Sequence, residues 1–339
     1  MRSPGVNAAT MQTSRKEPKR NQCVVLALAM LGIFCLNASA QDSIETIRID
    51  SDLVDLKVSV LGISQMTAPL LGQRDFVVLE DGKQQQIAFF AAADAPFDLV
   101  LLLDLSGSNS KKLKMIRNSA KRFIDSARPV DRIALVTFTD RPALYSSFTL
   151  DRKKLKNSVD DMDEAIGGTN FWDAMDYVLA EMVGGGHSGR RSAIVVMTDG
   201  IDNALPDVPG PGSSISFDRL LEKISTSEAI IFPIYLDTEA ENVKNHRIPR
   251  EAYTMAREQL GHIANTCGTT LYKAAKINDL DQVYGRVIRD LSTVYSIGYR
   301  PTNKTLDGGW RSVDVQLPQF PDLIARTRRG YFAKLESDP

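Results

Sequence analysis

The sequence predicts an α/β fold, a doubly wound, mostly parallel sheet with helices on both faces and β segments before and after it. Three observations carry this. From Phe97 to Val294, short apolar runs alternate with stretches of helical period, the mark of strand–helix–strand units. The runs are almost continuously apolar, as strands covered on both faces must be. The flanks, residues 42–95 and 295–328, read as strands and turns.

In chain order, Arg15, Lys16, Lys19 and Arg20 precede an apolar stretch, Val24 to Leu36, and then Ala38-Ser39-Ala40. A basic start, a short apolar core and small residues make a cleavable export signal over 1–40, with a mature start near Gln41. The core is too short to span a bilayer comfortably. Export places the mature protein outside the cell or in the periplasm, with no membrane span once the signal is cut. An uncleaved anchor is the alternative. Residues 41–96 form an N-terminal β segment. Val54, Leu56, Val58 and Val60 alternate with polar residues, as in a half-buried strand. Phe76–Leu79 and Ile87–Phe90 pair as a hairpin around Asp81-Gly82.

The α/β domain spans 97–294. Strands fall at Phe97–Leu103, Arg132–Phe138, Ala143–Phe148 (an edge), Ser192–Met197, Ala229–Leu236 and Thr269–Lys273. Helices fall between them, including Leu113 to Ala127, Lys153–Met162, Phe171–Val183, Phe217–Ile224 and Leu280–Val294. Glu251–Ala264 turns Ala252, Met255, Ala256, Leu260 and Ile263 to one face. Residues 295–339 return to β structure, with strands at Tyr295–Arg300, Ser312–Leu317 and Leu323–Arg328. The economical arrangement pairs this piece with 41–96 in one β-sandwich, which leaves less sheet edge exposed than two separate appendages.

Composition excludes several functions. The chain carries a net charge of −1, and −5 without residues 1–40, with no basic stripe for nucleic acid. Two of the three cysteines lie in the signal, so Cys267 alone remains and an intrachain disulfide is impossible. It reads as a small buried hydrophobe. None of the three histidines accompanies a nucleophile motif, and G-x-S-x-G, C-x-x-C and H-E-x-x-H are absent from the sequence. An enzyme is not expected.

What stands out is oxygen. Three loops, each expected after a strand, hold Asp104, Ser106 and Ser108; Gly167-Gly168-Thr169-Asn170; and Thr198-Asp199-Gly200. In doubly wound sheets ligands gather at the carboxyl ends of the strands. Hydroxyls, carboxylates and water are the ligands of hard divalent cations. Two carboxylates would nearly balance one such ion and leave a position open for an external carboxylate. Asp202 and Asn203 either tune this site or form a turn, and Phe171 and Trp172 pack into the core.

The D-x-S-x-S pattern at Asp104–Ser108, the Gly-Gly-Thr at 167–169 and the Thr-Asp-Gly at 198–200, in this order, resemble a von Willebrand factor type A domain with a metal-ion-dependent adhesion site. The resemblance covers about residues 97–295. The flanking Val77-Val78-Leu79-Glu80-Asp81-Gly82, Tyr295–Pro301 and Arg329-Gly330-Tyr331 resemble the secreted bacterial subfamily. It implies that Ser106, Ser108 and Thr169 approach the metal directly and that Asp104 and Asp199 hold it largely through waters. The last position would take a Glu or Asp from a partner protein. The ion implied is Mg2+, with Mn2+ or Ca2+ as alternatives. Leu105 and Asn109 depart from the commonest pattern, though neither supplies a ligand. The expected function is a non-enzymatic adhesion module, and the alternative is a cell-envelope scaffold with a purely structural metal.

Overall fold

The computed structural model describes residues 53–62, 69–106, 110–163, 167–183, 190–240 and 248–335. The expected signal, its cleavage point and Ser108 lie outside these. The α/β part is built on a six-stranded sheet. In chain order its strands are β5 (Phe97–Asp104), β6 (Arg132–Phe138), β7 (Pro142–Thr149), β8 (Arg191–Thr198), β9 (Ile230–Leu236) and β10 (Tyr272–Ala274). Across the sheet they run β10-β9-β8-β5-β6-β7, all parallel except the edge strand β7.

The central strand β5 explains its own sequence. Leu99, Leu101 and Leu103 enter one core with α1 (Ser110–Ser126), α2 (Arg152–Asp160) and α6 (Leu280–Leu291). Val100 and Leu102 enter the other, with α3 (Phe171–Tyr177), α4 (Phe217–Thr226) and α5 (Arg250–Thr266). Burial on both faces accounts for the unbroken apolar run Leu99–Leu103, while the buried Asp98 before it is paired with Arg132 and Arg190. The fold class is therefore the one expected.

Two local expectations change. The helix from Phe171 switches to π geometry over Val178–Val183. On α5, Ala252, Ala256, Leu260 and Ile263 are buried as expected, but Tyr253 is fully buried in place of Met255, which is 37% exposed.

The flanks share two four-stranded sheets. One has the order β13-β1-β11-β4, from β1 (Val54–Gly62), β4 (Ile87–Ala91), β11 (Val294–Tyr299) and β13 (Leu323–Arg326). The other has the order β14-β12-β2-β3, from β2 (Val77–Glu80), β3 (Lys83–Gln85), β12 (Trp310–Gln316) and β14 (Gly330–Phe332). Both contribute to one apolar core: Leu56 and Val58 of β1, Tyr295 and Ile297 of β11, Val78 of β2 and Val313 of β12. The sequence-based hairpin is corrected here. Strand β2 turns at Asp81 and Gly82, both at positive φ, and pairs with β3, whereas Ile87–Ala91 crosses to the other sheet and pairs with β11. The Asp-Gly turn fixes a two-residue loop, so its partner strand must begin at Lys83, too early for Ile87 to take part.

At the base of the parallel sheet, Arg191 joins the two parts. Its guanidinium lies 3.8 Å from the Phe97 ring centroid. It donates to the carbonyls of Ala93 and Ala95, before β5, and of Val294, at the start of β11.

Candidate functional site

The site forms where β5 and β8 end side by side. Asp104 closes β5 and is 8% exposed. Its Oδ1 accepts from the Ser106 backbone N–H at 2.9 Å and the Ser106 hydroxyl at 2.5 Å. Its Oδ2 accepts from Thr198 Oγ1 at 2.6 Å. Thr198 is the last residue of β8, and the same hydroxyl accepts from Gly200 N at 2.8 Å. Gly200 has a φ of +76°, and a methyl group there would meet Leu260 and Ala256 of α5, so glycine lets the turn present Asp199 while α5 packs beneath. Asp199 is half-buried. Its Oδ2 accepts from Thr238 Oγ1 at 2.6 Å and its Oδ1 from Ile201 N at 3.2 Å.

The third loop differs from expectation in its origin. Gly167–Asn170 lies between α2 and α3, not after a strand. It reaches the strand ends because other loops hold it there. Asp140 Oδ1 accepts from Gly168 N, the Asp140 carbonyl accepts from Asn170 Nδ2 at 3.1 Å, and Asn203 Oδ1 accepts from Thr169 N at 3.1 Å.

Asp104, Ser106, Thr169 and Asp199 thus line one cavity of about 480 Å³, together with Thr198, Thr238, Asn203 and Lys112. Burial, then the charge of Asp199, pushes the Asp104 carboxyl up to about 7, against hydrogen bonds from Ser106 and Thr198 that favour its ionised form. Burial also raises Asp199, opposed by the Thr238 hydrogen bond and by the charge of Lys112. Two carboxylates at one cavity therefore carry more negative charge than the protein around them settles, which a cation would relieve. Among the described residues no group of three or more His, Cys, Asp and Glu gathers as a metal cage. An ion here would rely on hydroxyls and water beside the two carboxylates, which suits a hard cation better than a nitrogen- and sulfur-seeking one.

Thr198 and Thr238 escaped the sequence reading as site residues, and Asp202 was left between tuning the site and forming a turn. Thr198 carried a signal, its place before Asp199. Thr238 carried none, because only the fold brings β9 beside β8. Asp202 is fully buried, and it accepts from Trp172 N, Ala204 N and both the N–H and hydroxyl of Ser213. It is more than a turn former. Phe171 and Trp172 are buried, as expected. Of the histidines, His262 is exposed on α5, and His187 and His246 lie outside the described residues.

A family model for the von Willebrand factor type A domain matches residues 98–285. The chain belongs to the von Willebrand factor type A family. Among curated proteins, a UPF0353 protein of Nocardia farcinica is 24% identical over 231 residues, covering 63% of this chain and 65% of its own. Protein YfbK of Escherichia coli is 31% identical over 116 residues, 33% of this chain and 20% of its own. The chain thus spans less than two thirds of the length of these relatives. Among solved structures, proximal thread matrix protein 1 from the mussel byssus, with a zinc-occupied MIDAS motif, aligns with a TM-score of 0.45 and 17% identity, covering 61% of this chain and 48% of that one. The vWF domain of the type V pili tip protein Mfa5 from Porphyromonas gingivalis aligns with a TM-score of 0.43 and 15% identity, covering 57% and 94%.

Proposed function

We propose that this von Willebrand factor type A protein is an exported, non-enzymatic interaction module that captures an acidic side chain of a protein partner through a divalent cation. The observation that carries the reading is the pairing of Asp104 and Asp199 at one cavity, ringed by Ser106, Thr169, Thr198 and Thr238. Ser106, Ser108 and Thr169 would hold the ion directly, and Asp104 and Asp199 largely through water. Mg2+ is the first candidate, with Mn2+ or Ca2+ as alternatives. The ion would supply Lewis acidity toward the partner carboxylate, and the cluster's few carboxylates would leave that acidity in place. The Asn203–Ser214 loop, which places Val208 and Pro209 at the cavity, would add contacts that choose among partners. Membership of the family supports an interaction module over an enzyme.

Calorimetric titration of the protein with Mg2+ and Mn2+, beside Asp104→Ala, tests this, followed by partner capture with and without EDTA. Saturable binding of one ion, lost in the variant, and capture lost in EDTA are expected. Capture that survives both treatments would sink the mechanism. A second reading, an envelope scaffold with a structural metal, draws support from the sandwich, where Trp310 is 50% and Phe332 67% exposed. It predicts that EDTA lowers the melting temperature and leaves capture intact.

A further inference from the structure

We propose that Asn203 is a positioning residue for the metal site: it clasps the backbone of Thr169 and so sets where the Thr169 hydroxyl stands in the cavity. The inference rests on the metal-site reading above. Asn203 meets both polar backbone atoms of Thr169. Its side-chain Oδ1 accepts from Thr169 N at 3.1 Å, and its own N–H donates to the Thr169 carbonyl at 2.8 Å. With both backbone groups engaged, the Thr169 side chain keeps only rotation about its own bonds.

The clasp is rigid on its far side. Asn203 is 9% exposed, and its amide is wedged between two glycines. A methyl group on Gly168 would come within 2.0 Å of Asn203 Nδ2, and one on Gly210 within 2.5 Å. The neighbouring Asp202 anchors the same loop to the start of α3 through Trp172 N and to Ser213.

The orientation of the amide is informative as well. Among the described residues, Asn203 Nδ2 is buried with no hydrogen-bond partner, an unfavourable state for a buried donor. Turning the amide over would not help, because Nδ2 would then face the Thr169 N–H, donor against donor. The side chain is thus held in the one sense that serves Thr169. Asp140 holds Gly168 through its backbone N–H, so the Gly167–Asn170 loop is gripped by two loops that are remote in sequence. A group that orients a metal ligand in this way typically changes metal affinity about 10–100-fold when it is removed.

The test uses the full chain, titrated calorimetrically with Mg2+ and with Mn2+, and amide hydrogen exchange read at Thr169. Asn203→Ala removes the acceptor and should bind both ions about tenfold or more weakly, with faster exchange at the Thr169 N–H. Asn203→Asp keeps an acceptor oxygen at the same place. It should bind no more weakly than the native protein and keep Thr169 protected. Asn203→Ala matching the native affinity overturns the proposal. So does Asn203→Asp binding as weakly as Asn203→Ala, since the acceptor oxygen would then be in place without effect. If Asn203→Ala fails to fold, Asn203→Asp decides alone: native affinity with a protected Thr169 N–H supports the proposal, and a tenfold loss overturns it. A native protein that takes neither ion at millimolar concentration instead overturns the metal-site reading, and this inference with it.

Discussion

Thr198 Oγ1 lies 2.6 Å from Asp104 Oδ2 and joins the last residues of two adjacent parallel strands. Because the same hydroxyl accepts from Gly200 N, one side chain orients the first carboxylate and shapes the turn that presents the second. Thr198→Val keeps the shape and loses both hydrogen bonds. It should cost about 2 kcal/mol in urea denaturation, since a buried carboxylate oxygen loses its donor, and weaken Mg2+ binding about 10–100-fold by calorimetry. Thr198→Ser should restore most of both.

The Asp104 carboxyl gives a pH dependence of defined sign. Its folded value, about 7, lies above the ordinary 3.8. A carboxyl raised on folding contributes stability that is fully present below about pH 4 and lost as pH rises through the folded value. In EDTA, the native protein should therefore lose stability relative to Asp104→Asn as pH is raised from about 4 to about 8. Mg2+ at the upper end should raise the melting temperature of the native protein and leave the variant unchanged. Melting curves that stay parallel across that range would count against a buried, strained carboxylate.

Arg191 holds the sandwich to the α/β domain. Burial lowers its guanidinium to about 10, yet it supplies three carbonyls from two separate connections and stacks on Phe97. Arg191→Ala should cost about 3 kcal/mol or more, because several buried acceptors lose their donor together. It should also split the calorimetric transition into two if the sandwich and the α/β domain are separate cooperative units. Arg191→Lys should rescue little, since an ammonium cannot reproduce the planar fork.

In the sandwich, Glu80 is 2% exposed and accepts from the Tyr299 hydroxyl at 2.7 Å and the Tyr331 hydroxyl at 2.8 Å. These bonds tie β2 to β11 in the facing sheet and to β14. Glu80→Leu leaves two phenols without their acceptor and should destabilise by about 2–4 kcal/mol. Glu80→Gln keeps the acceptor and should cost less. Neither should alter ion affinity. A change in Mg2+ binding would mean that the sandwich and the metal site are coupled.

The sequence by itself determined the α/β class, the order of its elements and four of the residues that meet at the cavity. It could do so because those properties are local. A strand covered on both faces must be apolar at every position, as Leu99 to Leu103 are, and a carboxylate ending such a strand is conspicuous. The tertiary structure decided what depends on contacts between distant segments. The Asp81-Gly82 turn was legible, but the partner of Ile87–Ala91 was not, because β11 lies some two hundred residues further on. The Gly167–Asn170 loop looked like a strand end, yet it is brought to the site by Asp140 and Asn203. Thr238 gave no sign of its role and Asp202 only an undecided one, since a hydroxyl or carboxylate in a loop has no period to read. Which donor it meets is set by how the loops pack.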